Sequence, residues 1–221
     1  MRVVILGEGP DELGPVWQRR RPLYPVHDNL GSLEIVVKRL CWLLLRQQIE
    51  IVQFTRPRGG FKQCDVLCNP QLLRQALQVC YPQWCRSEQL PPVEAAIIVW
   101  DASPPEQAQP KANAVSHVQL NFPGSLVHAA LDSMLECALS EKAAMERATG
   151  LSHCSIGTNV TEVVCASADP KATFKQVLRQ AGYNHRIDAG TKADIAGQLS
   201  VDFLRTAAAL RELRNGLSAL A

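Results

Sequence analysis

Long apolar runs are scarce in this sequence. Five strongly apolar residues stand together at Cys41–Leu45, against the ~20 that a membrane-spanning helix needs. The N-terminal segment offers only Val3 to Leu6 before Gly7 and Glu8, too short for the apolar stretch of a signal peptide. The expectation is a cytoplasmic protein with no membrane partner. Charge imbalance is lacking too: 23 Lys and Arg against 21 Asp and Glu leave a formal +2, which permits nucleic-acid contact without arguing for it. Aromatic residues are only 5%, but 47% of the 221 residues are hydrophobic, enough to bury a core and to exclude whole-chain disorder.

Several catalytic signatures are missing. No Gly-x-Ser-x-Gly elbow occurs, and none of His27, His117, His128, His153 or His185 sits in a triad context. Gly7-Glu8-Gly9 opens like a dinucleotide fingerprint, but position 12 is Glu where the third glycine belongs. No Lys-Ser/Thr follows, which excludes a P-loop. Eight cysteines are present, yet Cys64-x3-Cys68 and Cys80-x4-Cys85 lack the tight Cys-x-x-Cys spacing of structural zinc. Without an export signal the thiols should be reduced, and Cys41, Cys137 and Cys165 read as small core hydrophobes. His153-Cys154 sets a thiol beside a base, but neighbours on an extended chain face opposite ways.

The elements present alternate. Val3–Leu6 reads as a buried parallel-type strand running into a tight loop. From Ser32, a plausible N-cap, Leu33, Val36, Val37, Leu40, Leu44 and Leu45 recur at helical spacing. Ile49–Phe54 is a second strand, and Asn69-Pro70 starts a helix that Pro82 stops. Ala95–Trp100 is the strongest strand signal and delivers Asp101 at its end. Residues 103–113, with three prolines, read as a loop before a strand at His117–Phe122. Ser125 opens a long helix reaching toward Gly150, and Thr161–Ala166 reads as a strand. Asp169-Pro170 starts a helix through Phe174, Val177 and Leu178. The tail is helical from Lys192, with Leu204, Ala208, Leu210, Leu213 and Leu217 as its stripe. This order predicts an α/β fold: a mostly parallel sheet with helices on both faces and a helical C-terminal segment. One domain over 1–221 is expected, with 151–221 a largely helical extension.

In open parallel sheets, chemistry sits beyond the carboxyl ends of the strands. Two such ends carry acids: Glu8, Asp11 and Glu12 after the first strand, and Asp101 after Trp100. Three acids would repel a pyrophosphate, whereas converging carboxylates suit Mg2+, a hard ion that prefers oxygen ligands. The chemistry served is phosphodiester cleavage or transfer. Acids at strand ends also serve as solvated loop residues or helix caps, and that alternative stands beside the metal reading. Residues 1–90 carry 12 basic against 8 acidic side chains, a local +4. The excess gathers at Arg19-Arg20-Arg21 and around Arg56, Arg58 and Lys62, which could meet phosphates or form solvated loops.

The segment Arg2 to Glu12, an apolar strand followed by Glu8-Gly9-Pro10-Asp11-Glu12, resembles the opening of Toprim-like proteins, which share the topoisomerase–primase fold. More narrowly, it is similar to a small stand-alone bacterial Toprim-like family associated with phage defence beside an ATPase. The strand ending at Asp101 falls where the second motif of that family is expected. Asp169-Pro170-Lys171 and the stretch from Lys192 to Leu204 resemble its C-terminal end. The resemblance implies a Mg2+-dependent nuclease or related phosphoryl-transfer enzyme acting on nucleic acid. Glu8 would be general acid/base or metal ligand, Asp101 the principal metal ligand, Glu12 an auxiliary acid, and Arg56, Arg58 and Lys62 phosphate contacts. The second family motif is Asp-x-Asp, whereas this chain reads Asp101-Ala102-Ser103. A further Glu and Asp of the family have no counterpart in register near Ser133–Leu139, although Glu136 is close. Fewer carboxylates imply weaker ion binding. The alternative implied is a catalytically degenerate subunit that binds a protein partner, such as the ATPase of a defence system.

Overall fold

A computed structural model describes residues 1–7, 13, 23–25, 30–54, 71, 83, 86, 89, 91–101, 113, 116, 125–131 and 135–220. For 23–25, 52–54, 101 and 125–131 it describes the backbone alone. Five strands form one sheet: β1 (Arg2–Leu6), β2 (Leu23–Pro25), β3 (Glu50–Phe54), β4 (Ala95–Asp101) and β5 (Ser125–Leu131), in the order β2-β3-β1-β4-β5. β3, β1, β4 and β5 run parallel, and β2 is an antiparallel edge on β3. Val3–Leu6 of β1 and Ala95–Trp100 of β4 are apolar and buried on both alternating sets of positions: Val3 and Ile5, Val4 and Leu6, Ile97 and Val99, Ile98 and Trp100. That is the pattern of a parallel sheet covered on both faces.

Arg2 ties the amino-terminal ends of three strands together. Its guanidinium reaches the Glu50 carboxylate of β3 at 3.0–3.1 Å. Its backbone N–H donates to Glu94 Oε2 at 2.6 Å, and its carbonyl accepts the Glu94 N–H at 2.9 Å, just before β4. Pairing then fixes Leu6 opposite Ile98 and Arg2 opposite Glu50.

Helix α1 (Ser32–Leu45) covers one face with Leu33, Val36, Val37 and Leu40. Its N-cap is Gly31, whose N–H donates to Glu34 Oε2 at 2.8 Å, so Ser32 is the first helical residue rather than the cap. Beyond β5 the chain is helical: α2 (Leu135–Ala138), α3 (Lys142–Thr149), α4 (Val160–Cys165), α5 (Pro170–Gln180), α6 (Ala189–Gln198), α7 (Val201–Thr206), a 3-10 turn (Ala208–Leu210) and α8 (Arg211–Ser218). α6 packs on α1 and α3, and α8 on α1 and β5. One hydrophobic cluster runs from Val3 and Ile97 through Leu40 and Phe174 to Ile195 and Leu217. No helix among the described residues is long and apolar enough to cross a membrane.

The structure corrects several expectations. Ser125–Leu131 is a strand, not the first turns of a long helix; all seven residues pair with β4, from Ala95 opposite Ser125 to Asp101 opposite Leu131. Apolar spacing at Leu126, Ala130 and Met134 suits either element, and the open edge of β4 decides in favour of the strand. Val160–Cys165 is helix rather than strand. Its β-branched residues favour extended chain, but Val160 and Val164, one turn apart, are both buried against neighbouring helices. Cys165 is exposed rather than in the core, whereas Cys41 and Cys137 are buried as expected. In the tail Ala209, not Ala208, is the buried alanine. Asn113, the last residue of the expected loop, is helical, and its carbonyl accepts a hydrogen bond from Ser116 Oγ at 2.9 Å. The expected strand at His117–Phe122, the body of the helix after Asn69-Pro70, and Cys64, Cys68, Cys80 and Cys85 lie outside the described residues.

Candidate functional site

The strand order defines the site. β1 connects through α1 to β3 on one side, while β4 and β5 lie on the other, so the sheet reverses direction between β1 and β4. Ligand crevices of parallel α/β sheets form at such a reversal, beyond the carboxyl ends of the strands. β1 ends at Leu6 and leaves through buried Gly7. Its neighbour β4 continues three residues past the Leu6–Ile98 pair to end at Asp101, about 10 Å further along at the usual rise per residue. β3 ends at Phe54, as far beyond its Glu50–Arg2 pair as Leu6 is. Three parallel neighbours thus finish at one rim.

Of the predicted site residues, Asp101 is the final residue of β4 and is paired with Leu131; its side chain lies outside the described residues. Glu8, Glu12, Arg56, Arg58 and Lys62 lie outside them altogether. Gly7 and Phe54 are the last described residues before the acidic and basic segments, and both stand at the carboxyl ends of strands on the same side of the sheet as the end of β4. The proposed donors, three carboxylates on two segments, suit a hard divalent ion such as Mg2+ in chemistry. Among the described residues, no group of three or more His, Cys, Asp or Glu could hold a metal.

Glu136 has a different task from the one a metal site would give it. It lies on α2, 4% exposed, and its Oε1 accepts a 2.6 Å ion-paired hydrogen bond from Lys192 Nζ on α6, itself 2% exposed. The sequence carries a signal for this pair. Glu136 stands directly before Cys137-Ala138-Leu139, and Lys192 occupies the same helical stripe as Ile195, Ala196 and Leu199. A charge on an apolar stripe is seldom buried without a partner.

A second polar cluster surrounds the end of α3. Glu146 is buried and accepts the Ile156 N–H at 3.0 Å. Burial pushes its carboxyl upward, but the Ile156 and Cys154 N–H groups, with the charges of Lys142 and His153, outweigh this and hold it below its ordinary value. In the loop tied to it, Cys154 has φ +72°. The left-handed residue turns the chain, and Cys154 Sγ lies 2.9 Å from His153 Nδ1, both side chains exposed. The expectation that these neighbours face apart assumed an extended backbone, which this is not.

Arg39 on α1 joins the C-terminal helices to the sheet layer. Its guanidinium donates to the carbonyls of Ala196 (2.7 Å), Gly197 (3.0 Å) and Leu199, the end of α6. These are carbonyls that a helix terminus leaves without intrahelical partners. Burial lowers the Arg39 pKa, the Glu141 charge opposes the shift, and the Arg147 charge adds to it.

Compared with protein-family models, curated proteins and solved structures, the chain finds no match.

Proposed function

We propose that this chain is a Toprim-like phosphoryl-transfer protein acting on nucleic acid, with Glu8 and Asp101 as the residues that would hold Mg2+ and Glu12 as an auxiliary acid. The observation that carries the reading is the strand order: β3, β1 and β4 are parallel neighbours, and their carboxyl ends lead into the basic 56–62 segment, the acidic 8–12 segment and Asp101. Bound Mg2+ would supply charge stabilisation at the transferring phosphoryl group. Glu8 would take or give the proton at the attacking or leaving oxygen. Arg56, Arg58 and Lys62 would hold flanking phosphates, positioning the backbone without reading sequence.

A second reading is favoured by the Glu136–Lys192 pair. The acid closest to where a further metal ligand was expected is buried and engaged by a lysine, which leaves a smaller carboxylate set for the ion. On that reading the chain is a catalytically degenerate subunit that binds a protein partner such as a defence ATPase, a suggestion resting on the family resemblance alone.

Calorimetric titration with Mg2+ and Mn2+, on wild type and Asp101→Ala, tests for the ion site. Cleavage assays on single-stranded DNA, duplex DNA and RNA, with Glu8→Gln as control, test turnover. Metal-dependent cleavage lost in both variants supports the enzyme. Absence of both metal binding and cleavage removes it and leaves the partner-binding subunit.

A further inference from the structure

The loop that follows α3 carries a nucleophile and a base that the rim chemistry does not use. Its backbone is held at several points. The Leu151 N–H donates to the Glu146 carbonyl at 3.0 Å, and the Ser155 N–H to the Ser152 carbonyl at 3.0 Å. Beneath the turn, the buried Glu146 carboxylate accepts the N–H groups of Cys154 and Ile156. Held in this way, Cys154 keeps its left-handed backbone, and its Sγ stands 2.9 Å from His153 Nδ1 with both side chains open to solvent. His153 is also close enough to Glu146 for the two charges to interact. Thiol, imidazole and carboxylate thus follow one another across the loop: a nucleophile, a base in reach of it, and an acid beside the base.

We propose that Cys154 is a modification site, a thiol that exchanges with low-molecular-weight disulfides and uses His153 as its base. His153 Nδ1 takes the proton from Sγ as Sγ attacks one sulfur of the reagent. The new S–S bond forms as the old one breaks. The electron pair of the broken bond leaves on the second sulfur, which the imidazolium then protonates. Cys154 is oxidised to a mixed disulfide, and the other half of the reagent is reduced to a thiol. Other chemistry fits the loop less well. Acyl transfer needs N–H donors for an oxyanion, and the N–H groups of Cys154 and Ile156 already bond Glu146. Structural zinc takes about four ligands, and among the described residues no group of three or more His, Cys, Asp or Glu could hold a metal. A disulfide needs only an accessible sulfur and a place for one proton, which this loop supplies. Cys41 and Cys137 are buried beyond the reach of a reagent, whereas Cys165 is exposed and serves as the comparison for exposure alone.

The test is incubation of the full chain with glutathione disulfide at neutral pH, acid quenching at timed intervals and peptide mass mapping. The expected result is a glutathione adduct on Cys154 that forms about tenfold faster than on Cys165 and is removed by dithiothreitol. His153→Ala should slow the Cys154 adduct by about tenfold or more and leave the Cys165 rate and the melting temperature unchanged. Glu8→Gln and Asp101→Ala should be modified like wild type, which separates this site from the rim. Equal rates at Cys154 and Cys165, no adduct at Cys154, or an unchanged Cys154 rate in His153→Ala overturns the proposal. So does slowing of both cysteines together in His153→Ala, because the variant would then have altered the fold rather than removed a base.

Discussion

Replacing Lys192 by methionine keeps most of the side-chain length on α6 and removes the charge opposite Glu136. The carboxylate, 4% exposed, then has no cation at 2.6 Å and too little access to water to recover its hydration. Removing one partner of a buried pair costs about 3–5 kcal/mol, because the remaining charge is stranded. Against a total stability of about 5–15 kcal/mol this is a large fraction. At roughly 2–4 °C per kcal/mol for a chain of this size, it corresponds to about 10 °C in Tm. The pair itself adds much less, since separate desolvation offsets most of the attraction. The double variant Lys192→Met with Glu136→Leu should therefore recover most of the loss. Urea unfolding of wild type, both single variants and the double variant closes the cycle. The reasoning is refuted if Lys192→Met unfolds within 1 kcal/mol of wild type, a threshold of about the order of an exposed pair, or if the two single losses simply add.

Three further outcomes are expected. Arg39→Ala should destabilise by about 1–3 kcal/mol in the same unfolding assay, by stripping the carbonyls of Ala196, Gly197 and Leu199 of their donor. Arg39→Lys should recover less than half, because an ammonium cannot reproduce the planar fork; full recovery would show that charge alone matters. Glu146, held below its ordinary value in the folded chain, binds fewer protons folded than unfolded, so its contribution is complete above the ordinary carboxylate range and drains away as pH falls through the folded value. Melting curves from pH 7 down to pH 3 should accordingly fall more steeply for wild type than for Glu146→Gln, and parallel curves would remove Glu146 from the acid limb. Burial pushes the Cys41 thiol up to about 11, so timed iodoacetamide labelling of the native protein at pH 8, mapped by mass spectrometry, should leave Cys41 unmodified while Cys154 is alkylated. His153→Ala should slow Cys154 labelling, and an unchanged rate would mean that the 2.9 Å contact does nothing for the sulfur.

Local chemistry made much of the framework legible. A short apolar run rich in β-branched residues reads as a buried strand, and β1 and β4 appear where Val3–Leu6 and Ala95–Trp100 predicted them. Asp169-Pro170 pairs a capping side chain with a residue whose missing N–H costs nothing there, and Asp169 Oδ1 does accept the Ala172 N–H at 2.9 Å. Of the tail stripe, Leu204, Leu210, Leu213 and Leu217 are buried and Ala208 is exposed. These features depend on residues within a turn or two of each other, which is the range over which a sequence speaks for itself.

Tertiary structure decided what depends on partners distant along the chain. Ser125–Leu131 is apolar enough for helix or strand, and only the open hydrogen-bonding edge of β4 makes it a strand. Val160–Cys165 has the residues of a strand, and only packing of Val160 and Val164 against other helices makes it helical. Strand order belongs to the same class: nothing local to Gly7, Phe54 or Asp101 says that their strands end side by side. Glu136 and Lys192 stand 56 residues apart, and nothing local to either names the other as its partner. A backbone torsion or a cap is set by neighbours in sequence. A buried charge, a sheet edge or a shared rim exists only once the chain has brought its distant parts together.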